Sequence, residues 1–397
     1  MRETKFKHTD IGCIPHDWEE VTLNQIKEGI QTGPFGSQLH QSDYSKYGIP
    51  LVMPKDLIDG RISEQTIATV NENHVERLKR HKINEGDILF SRRGDVGRCA
   101  FASKKEAGWL CGTGCLRVSL NKEKADYHFI TYLFQKKDIV AWLINNAVGT
   151  TMLNLNTSIL ANVPLAIPAR TTEQNRIATA LMDMDELIQD LQKLITKKQN
   201  IKSGTMQLLL SGKKRLSGFN KPWEEVEIQG ITGKIRRGQT LKSDHFLSGD
   251  IPVVAGGKQY AGFHNVANQE GRTITISGSG ASAGYVAIHH IPIFATDCSI
   301  IKESKSFSLD YLYYSLLSKQ EELYELQTGG AQPHVYPRDI EKIILSIPSD
   351  LDEQCAIAKV LTDMDDEIQM LQTRLQKYIN LKQGMMQQLL TGKIRLI

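Results

Sequence analysis

Arginine, lysine, asparagine and serine carried on glycine-rich turns can read base-pair edges, and this chain offers two sets of them. The first comprises Lys55, Arg92, Arg93 and Arg98, with Asn154 and Asn156 in the stretch GTTMLNLN. The second comprises Arg236, Arg237, Lys242, Lys258, Ser277, Ser279, His334 and Arg338. A guanidinium fork donates two parallel hydrogen bonds to guanine, and an asparagine carboxamide matches adenine. Turns such as GSGASAG allow the backbone to approach a phosphate closely. Each residue alone is weak evidence, since an arginine on a loop is usually just solvated.

Other reactive residue types form no comparable set. Cys111 and Cys115, in CGTGC, are the one close pair among six cysteines. Their spacing fits no Cys-x-x-Cys metal site and reads as reduced thiols on a strand. His289 and His290 fall on an expected strand end and read as structural. SGKKRL and TGKIRL contain Gly-Lys without the rest of a P-loop, and they close helices where a P-loop opens one. No Asn/Asp-Pro-Pro-Tyr tetrapeptide for a flipped base is present. No metal site is expected, and the chain reads as non-catalytic by itself.

Composition bounds the class. The 397 residues suffice for two or three domains. No apolar run approaches the roughly 20 residues that span a bilayer. The start, MRETKFKHTD, has no apolar segment of the kind a signal peptide carries. A cytoplasmic protein without membrane association is the expectation. With 48 basic and 45 acidic residues the net charge is only +3, so binding to a polyanion requires locally concentrated charge or partner subunits.

What positions the two sets is a duplication. Residues 173–216 and 353–396 align without a gap, with 24 of 44 positions identical, where unrelated sequences would share about three. Apolar residues recur in alternating steps of four and three: Ile177, Leu181, Met184, Ile188, Leu191 and Ile195 in the first copy, and Ile357, Leu361, Met364, Ile368, Leu371 and Leu375 in the second. That is a helix-pairing seam. Pro168 and Pro348 precede the helices, Asp350 with Glu353 fits a capping box, and Gly212 and Gly392 fit helix ends. Each helix should run about 35–40 residues, on the order of 55 Å. The seam at Met364, Ile368 and Leu371 is the expected partner of Met184, Ile188 and Leu191. Leu187 and Leu194 become Glu367 and Arg374 in the second copy, giving the first helix a wider apolar face.

The segments before the helices echo one another more faintly. PHDWEEVTL resembles NKPWEEVEI; residues 48–52 resemble 250–254, 86–101 resemble 273–288, and DYHFITYLF resembles DYLYYSLLS. The order is globular head, long helix, globular head, long helix. An antiparallel helix pair would place two similar heads about an approximate two-fold axis, and DNA has a matching backbone symmetry. A coiled-coil scaffold whose globular heads bind proteins is the alternative; the loop Arg, Asn, Ser and Gly favour DNA.

At these residues the chain resembles the specificity subunit of type I restriction–modification systems. The resemblance rests on DIGCIPHDWEEVTL, on TGPFGSQLHQSDYSKYGIPLV, and on paired EQ-x-x-IA-x-x-L-x-DMD helices ending in QLLLSGKKRL and QQLLTGKIRL. It covers essentially the whole chain. It implies an α+β protein: a target recognition domain at 1–169, a central spacer helix at 170–215, a second target recognition domain at 216–348, and a C-terminal spacer helix at 349–397. The two similar mixed α/β domains would be separated by two long helices forming an antiparallel coiled coil, as a pseudo-two-fold internal duplication. It further implies that each domain reads one half of a bipartite site in double-stranded DNA, that the helices set the spacing, and that two methyltransferase subunits dock there before restriction subunits join. S-adenosylmethionine, ATP and Mg would belong to those partners, with no cofactor on this chain. The second head lacks the Gly-Pro-Phe-Gly-Ser loop of the first and has RRGQTLKSDHFLSG in that region, so contact residues are not transferred between halves.

Overall fold

A computed structural model describes residues 5–35, 38–149, 152–241 and 248–397. The chain is α+β and divides into two compact units that cut across the sequence segments. One comprises residues 1–190 with 375–397, the other residues 191–374. Each unit therefore holds one head, half of the helix that leaves it, and half of the other helix.

In the first unit a four-stranded antiparallel sheet runs in the order Cys99–Phe101, Ile88–Ser91, Cys115–Leu120, Lys27–Thr32. Ile88–Ser91 is buried at all four positions, and Ile88, Leu89 and Phe90 accordingly run apolar without alternation. A second sheet has the order Leu110–Cys111, Ile49–Val52, Ala68–Val70, Tyr44–Ser45. Trp18–Thr22 pairs antiparallel with Pro164–Pro168, so the start of the head is tied to the strand that enters the helix. Helix Tyr127–Phe134 packs over the first sheet, with Trp18 edge-on to Phe129 at 6.3 Å. Two hairpins, Phe6–Thr9 with Gly12–Pro15 and Leu57–Ile58 with Arg61–Ile62, complete this unit.

The second unit repeats the plan. Its four-stranded sheet has the order Val286–His289, Thr273–Ser277, Cys298–Lys302, Arg236–Arg237. Its smaller sheet, Gly262–His264, Ile251–Val254, Phe294–Ala295, has one antiparallel and one parallel pairing about its central strand, as Ile49–Val52 has in the first unit, but lacks a fourth strand among the described residues. Trp223–Glu227 pairs with Ile344–Pro348 as Trp18–Thr22 does with Pro164–Pro168. Helix Leu309–Ser318 matches Tyr127–Phe134, but with a different register than DYHFITYLF against DYLYYSLLS suggests. The N-cap residues Asp126 and Ser308 are equivalent, since Gln174 and Gln354 each accept a hydrogen bond from that backbone amide at 2.8 and 2.9 Å. Tyr132 thus corresponds to Tyr314.

The long helices are Thr171–Leu209 and Leu351–Leu389, 39 residues each, matching the length the periodicity implies. They run antiparallel within each unit, and charged pairs set the register. In the first unit Arg395 donates to Glu173 at 2.6 Å and Lys382 pairs with Asp185 at 2.5 Å. In the second Arg215 donates to Glu353 at 2.9 Å and Lys202 pairs with Asp365 at 2.5 Å. These are the same positions of the repeat, each copy supplying the acid to one pair and the base to its twin, with Arg215 and Arg395 just beyond the helix ends. The second aspartate of DMD also accepts a tyrosine hydroxyl from the head, Tyr132 to Asp185 at 2.6 Å and Tyr314 to Asp365 at 2.8 Å. Burial, then the carboxylate, pushes both phenols up and keeps them protonated.

Two expectations are corrected here. Glu353 does not close a capping box; fully buried, it requires a cation, and Arg215 supplies it. The proposed pairing of Met184 and Ile188 with Met364, Ile368 and Leu371 is out of register: with Asp185 opposite Lys382, they lie opposite residues 379–383. Ile177 and Leu181 pack instead with Leu389 and Leu390 in the core of the first unit. Ile357, Leu361 and Met364 pack with Met206, Leu209 and Leu210 in the second. Leu191, Ile195 and Ile368 are buried; Met184, Ile188, Met364, Leu371 and Leu375 are half-buried. Gly212 and Gly392 end the helices with φ of 67° and 66°, a conformation glycine adopts without a Cβ penalty.

Candidate nucleic-acid interface

In each head the turn after Ile88–Ser91 or Thr273–Ser277 is clasped by the segment that follows the head's helices in the chain. In the first head, bridges join Arg93 to Asn154 and Val148 to Asn154. Gly94 N donates to Leu153 O at 3.1 Å and Leu155 N to Arg92 O at 2.8 Å. In the second, bridges join Ser279 to His334 and Thr328 to His334. Gly280 N donates to Pro333 O at 2.9 Å and Val335 N to Gly278 O at 3.1 Å. The two clasps share one backbone pattern. It aligns Arg92 with Gly278, Arg93 with Ser279, Asn154 with His334 and Asn156 with Tyr336. Leu155 and Val335, both fully buried, anchor them.

The side chains on that frame differ. Arg92 is half-buried, its Nε donating to Asn154 Oδ1 at 3.3 Å and its guanidinium 5.6 Å from the Phe35 ring centroid. Arg93 is exposed. Asn156 caps a short helix, accepting from Ile159 N at 2.8 Å. Arg98 is exposed and paired with Asp95 at 2.7 Å, and Lys55 donates to Thr66 O at 2.7 Å. In the second head His334 stacks on Tyr336 at 6.1 Å, and the Arg338 guanidinium lies 5.2 Å from the same ring. Arg237 donates to Asp297 Oδ1 at 2.9 Å, and the other oxygen of Asp297 accepts from Ser279 Oγ. Arg236 is exposed beside it, and Lys258 lies 5.4 Å from the Tyr285 ring. Ser277 is 3% exposed and donates to Gly256 O at 2.6 Å; this hydroxyl holds the turn and does not face a ligand, a correction to its place among the reading groups. Lys242 lies outside the described residues.

The structure thus gathers Arg92, Arg93, Asn154 and Asn156 in one head, and Arg237, Ser279, His334 and Arg338 in the other. Sequence reasoning did not select Phe35, Asp297 or Tyr336. Phe35, 52% exposed, was the most findable, because it stands in the Gly-Pro-Phe-Gly-Ser stretch that the second head lacks.

The other reactive groups stand apart from the clasps. Cys111 and Cys115 are buried strand residues, and burial pushes the Cys115 thiol up. His289 is buried at its strand end, with Nε2 2.9 Å from Thr275 Oγ1; burial lowers its pKa to about 4, so the ring is neutral. Among the described residues no group of three or more His, Cys, Asp or Glu is arranged to hold a metal ion, and no helix is long and apolar enough to cross a membrane.

Comparison with known proteins places this architecture. The chain matches the family described as type I restriction modification DNA specificity domain twice, over residues 15–203 and 220–380. A putative type I restriction enzyme MjaX specificity subunit from Methanocaldococcus jannaschii is 28% identical over 425 residues, covering 99% of this chain and 97% of that one. The crystal structure of a type I restriction–modification system S subunit from M. genitalium superposes with a TM-score of 0.68 at 19% identity, covering 97% of this chain and 98% of its own. A chain from a study of complex assembly and conformational transition of the type I restriction–modification system has a TM-score of 0.57 at 17% identity over 96% of this chain and 99% of its own.

Proposed function

The chain belongs to the type I restriction–modification DNA specificity family, with two copies of its domain, and from that premise we propose that it is the DNA-reading subunit of such a complex. Each head reads one half of a bipartite site in double-stranded DNA. The long helices set the distance between halves and dock two methyltransferase subunits, which restriction subunits then join. The chain performs no catalysis itself; S-adenosylmethionine, ATP and Mg are held by the partners, in the cytoplasm. The observation that carries this reading is the pair of clasps. One backbone frame presents Arg92, Arg93, Asn154 and Asn156 in one head and Gly278, Ser279, His334 and Tyr336 in the other. A shared frame with different side chains is what reading two different words requires.

Co-expression with the cognate methyltransferase subunit and methylome sequencing test it. The expected result is one bipartite adenine-methylated motif; absence of any such motif sinks the proposal. Inserting about one helical turn, roughly four residues, after Gln192 should lengthen the unspecified gap and leave both half-sites intact.

A further inference from the structure

Several arginines lie against aromatic rings, Arg61 on Phe101 and Arg338 on Tyr336 among them; at each clasp one such arginine is also bonded to an acceptor of the clasp, and these two come from different places in the chain. Arg92 stands on the turn after Ile88–Ser91, over Phe35 and bonded to Asn154. Its clasp counterpart is Gly278. Arg237 stands on the edge strand Arg236–Arg237, 6.0 Å from the Tyr336 ring centroid and bonded to Asp297. Its counterpart by strand register is Thr32, since Gly33 N and Gly238 N donate to the equivalent carbonyls of Cys115 and Cys298, both at 2.9 Å. The vacancy at Gly278 explains the exchange. A Cβ built there would lie 3.1 Å from Arg237 Nη2 and 3.0 Å from Asp297 Oδ1. The guanidinium of Arg237 therefore lies against the place from which the Arg92 side chain starts in the other head.

We infer that Arg92 and Arg237 are the guanine-reading residues of the two heads, delivered to one position of a shared clasp from two different strands. A guanidinium remains charged, is planar, and presents donors in a fixed fork. In both heads a ring lies against the fork and an acceptor takes one edge, so the remaining donors point in a set direction. That loss of side-chain freedom precedes binding and does not oppose it. A phosphate contact needs neither ring nor acceptor, whereas bidentate recognition of guanine O6 and N7 needs a fork held in orientation. The inference rests on the DNA-reading function proposed above, and predicts a G·C pair read by each head.

The test uses the complex with its methyltransferase subunit and methylome sequencing of Arg92→Lys and Arg237→Lys. Lysine keeps the charge and loses the fork. Arg92→Lys should lower discrimination at one G·C position of one half-site by about ten- to a hundred-fold and leave the other half-site unchanged. Arg237→Lys should do the converse. The untouched half-site in each variant reports intact folding. Phe35→Leu and Tyr336→Leu, which unstack the arginines and keep them, should give the same change in weaker form and stand in for any lysine variant that does not accumulate. A motif unchanged in the variants, or methylation reduced equally at all sequences, overturns the inference while the proposed function stands. Absence of a bipartite motif in the unmodified complex overturns the function beneath it.

Discussion

Trp18 and Trp223 open corresponding strands, yet Trp18 has no exposed surface while Trp223 is half-buried. Both are followed by Glu-Glu-Val, and both lie beside the turn that ends a long helix. The difference comes from the segment before each. In the first unit Pro15 packs on Gly392, and Asp17 accepts two hydrogen bonds from Arg395 at 2.7 Å while Arg395 also holds Glu173. In the second, Pro222 occupies the position of Asp17, so Arg215 holds Glu353 without that second carboxylate. A repeated motif preserves the contact between the helices; what flanks it decides how firmly the head is sealed.

Truncating the two tryptophans separates these cases most strongly. Trp18→Ala should cost about 3–5 kcal/mol, the range for removing a fully buried large aromatic side chain. Trp223→Ala should cost roughly half as much, because part of its surface is already hydrated. Urea unfolding with segment-resolved hydrogen exchange would measure both, and equal losses would contradict the contrast. The terminal glycines give the next effect. Alanine at either position meets a positive-φ penalty of about 1 kcal/mol. At Gly392 a Cβ would also sit 2.3 Å from Pro15 Cγ, against a nearest approach of 3.2 Å to the Trp223 ring at Gly212. Gly392→Ala should therefore destabilise by about 2–4 kcal/mol and Gly212→Ala by about 1, read in the same experiment.

A smaller difference should appear in acid. The hydrogen bonds from Arg395 hold the Asp17 carboxyl below its ordinary value. A depressed folded-state pKa contributes stability that is complete above the unfolded value, near 3.9, and is lost as pH falls through the lower folded one. Hydrogen exchange at the start of the first long helix should accelerate below about pH 4, and Asp17→Asn should remove that part of the acid response. Asp17 is largely exposed, so the change should be modest. The smallest effect on folding is expected from Leu187→Glu with Leu194→Arg, which gives the first helix the residues of the second. These leucines are 40% and 38% exposed, so stability should shift by no more than about 0.5 kcal/mol. Retention of the methyltransferase subunit in co-purification should fall if that apolar face receives it; unchanged retention would show the two helices to be equivalent there.

Much of this was readable from residue order. The 3-and-4 spacing from Ile177 to Ile195 and its copy from Ile357 located both helices and their lengths, because an amphipathic period is a local property. The residue types of Arg92, Arg93 and Asn154 were visible beside glycine-containing loops, but not that they meet on one clasp. The partner of each helix position was not visible either. The heptad pattern is satisfied by many registers, and the one adopted depends on Glu173 meeting Arg395, 222 residues away. Glu353 looked like a cap because its spacing from Asp350 permits one; burial changed its role.

The sequence by itself determined the duplication and the order of heads and helices, since repeats and periodicities are written along the chain. Only the tertiary structure decided which side chains stand together. Arg237 and Arg92 share neither sequence position nor strand, and the missing Cβ at Gly278 leaves room for a guanidinium that reaches it from the edge strand, across Cys298–Lys302. Such a placement depends on strand register and side-chain volume across a sheet, which residue order does not encode locally.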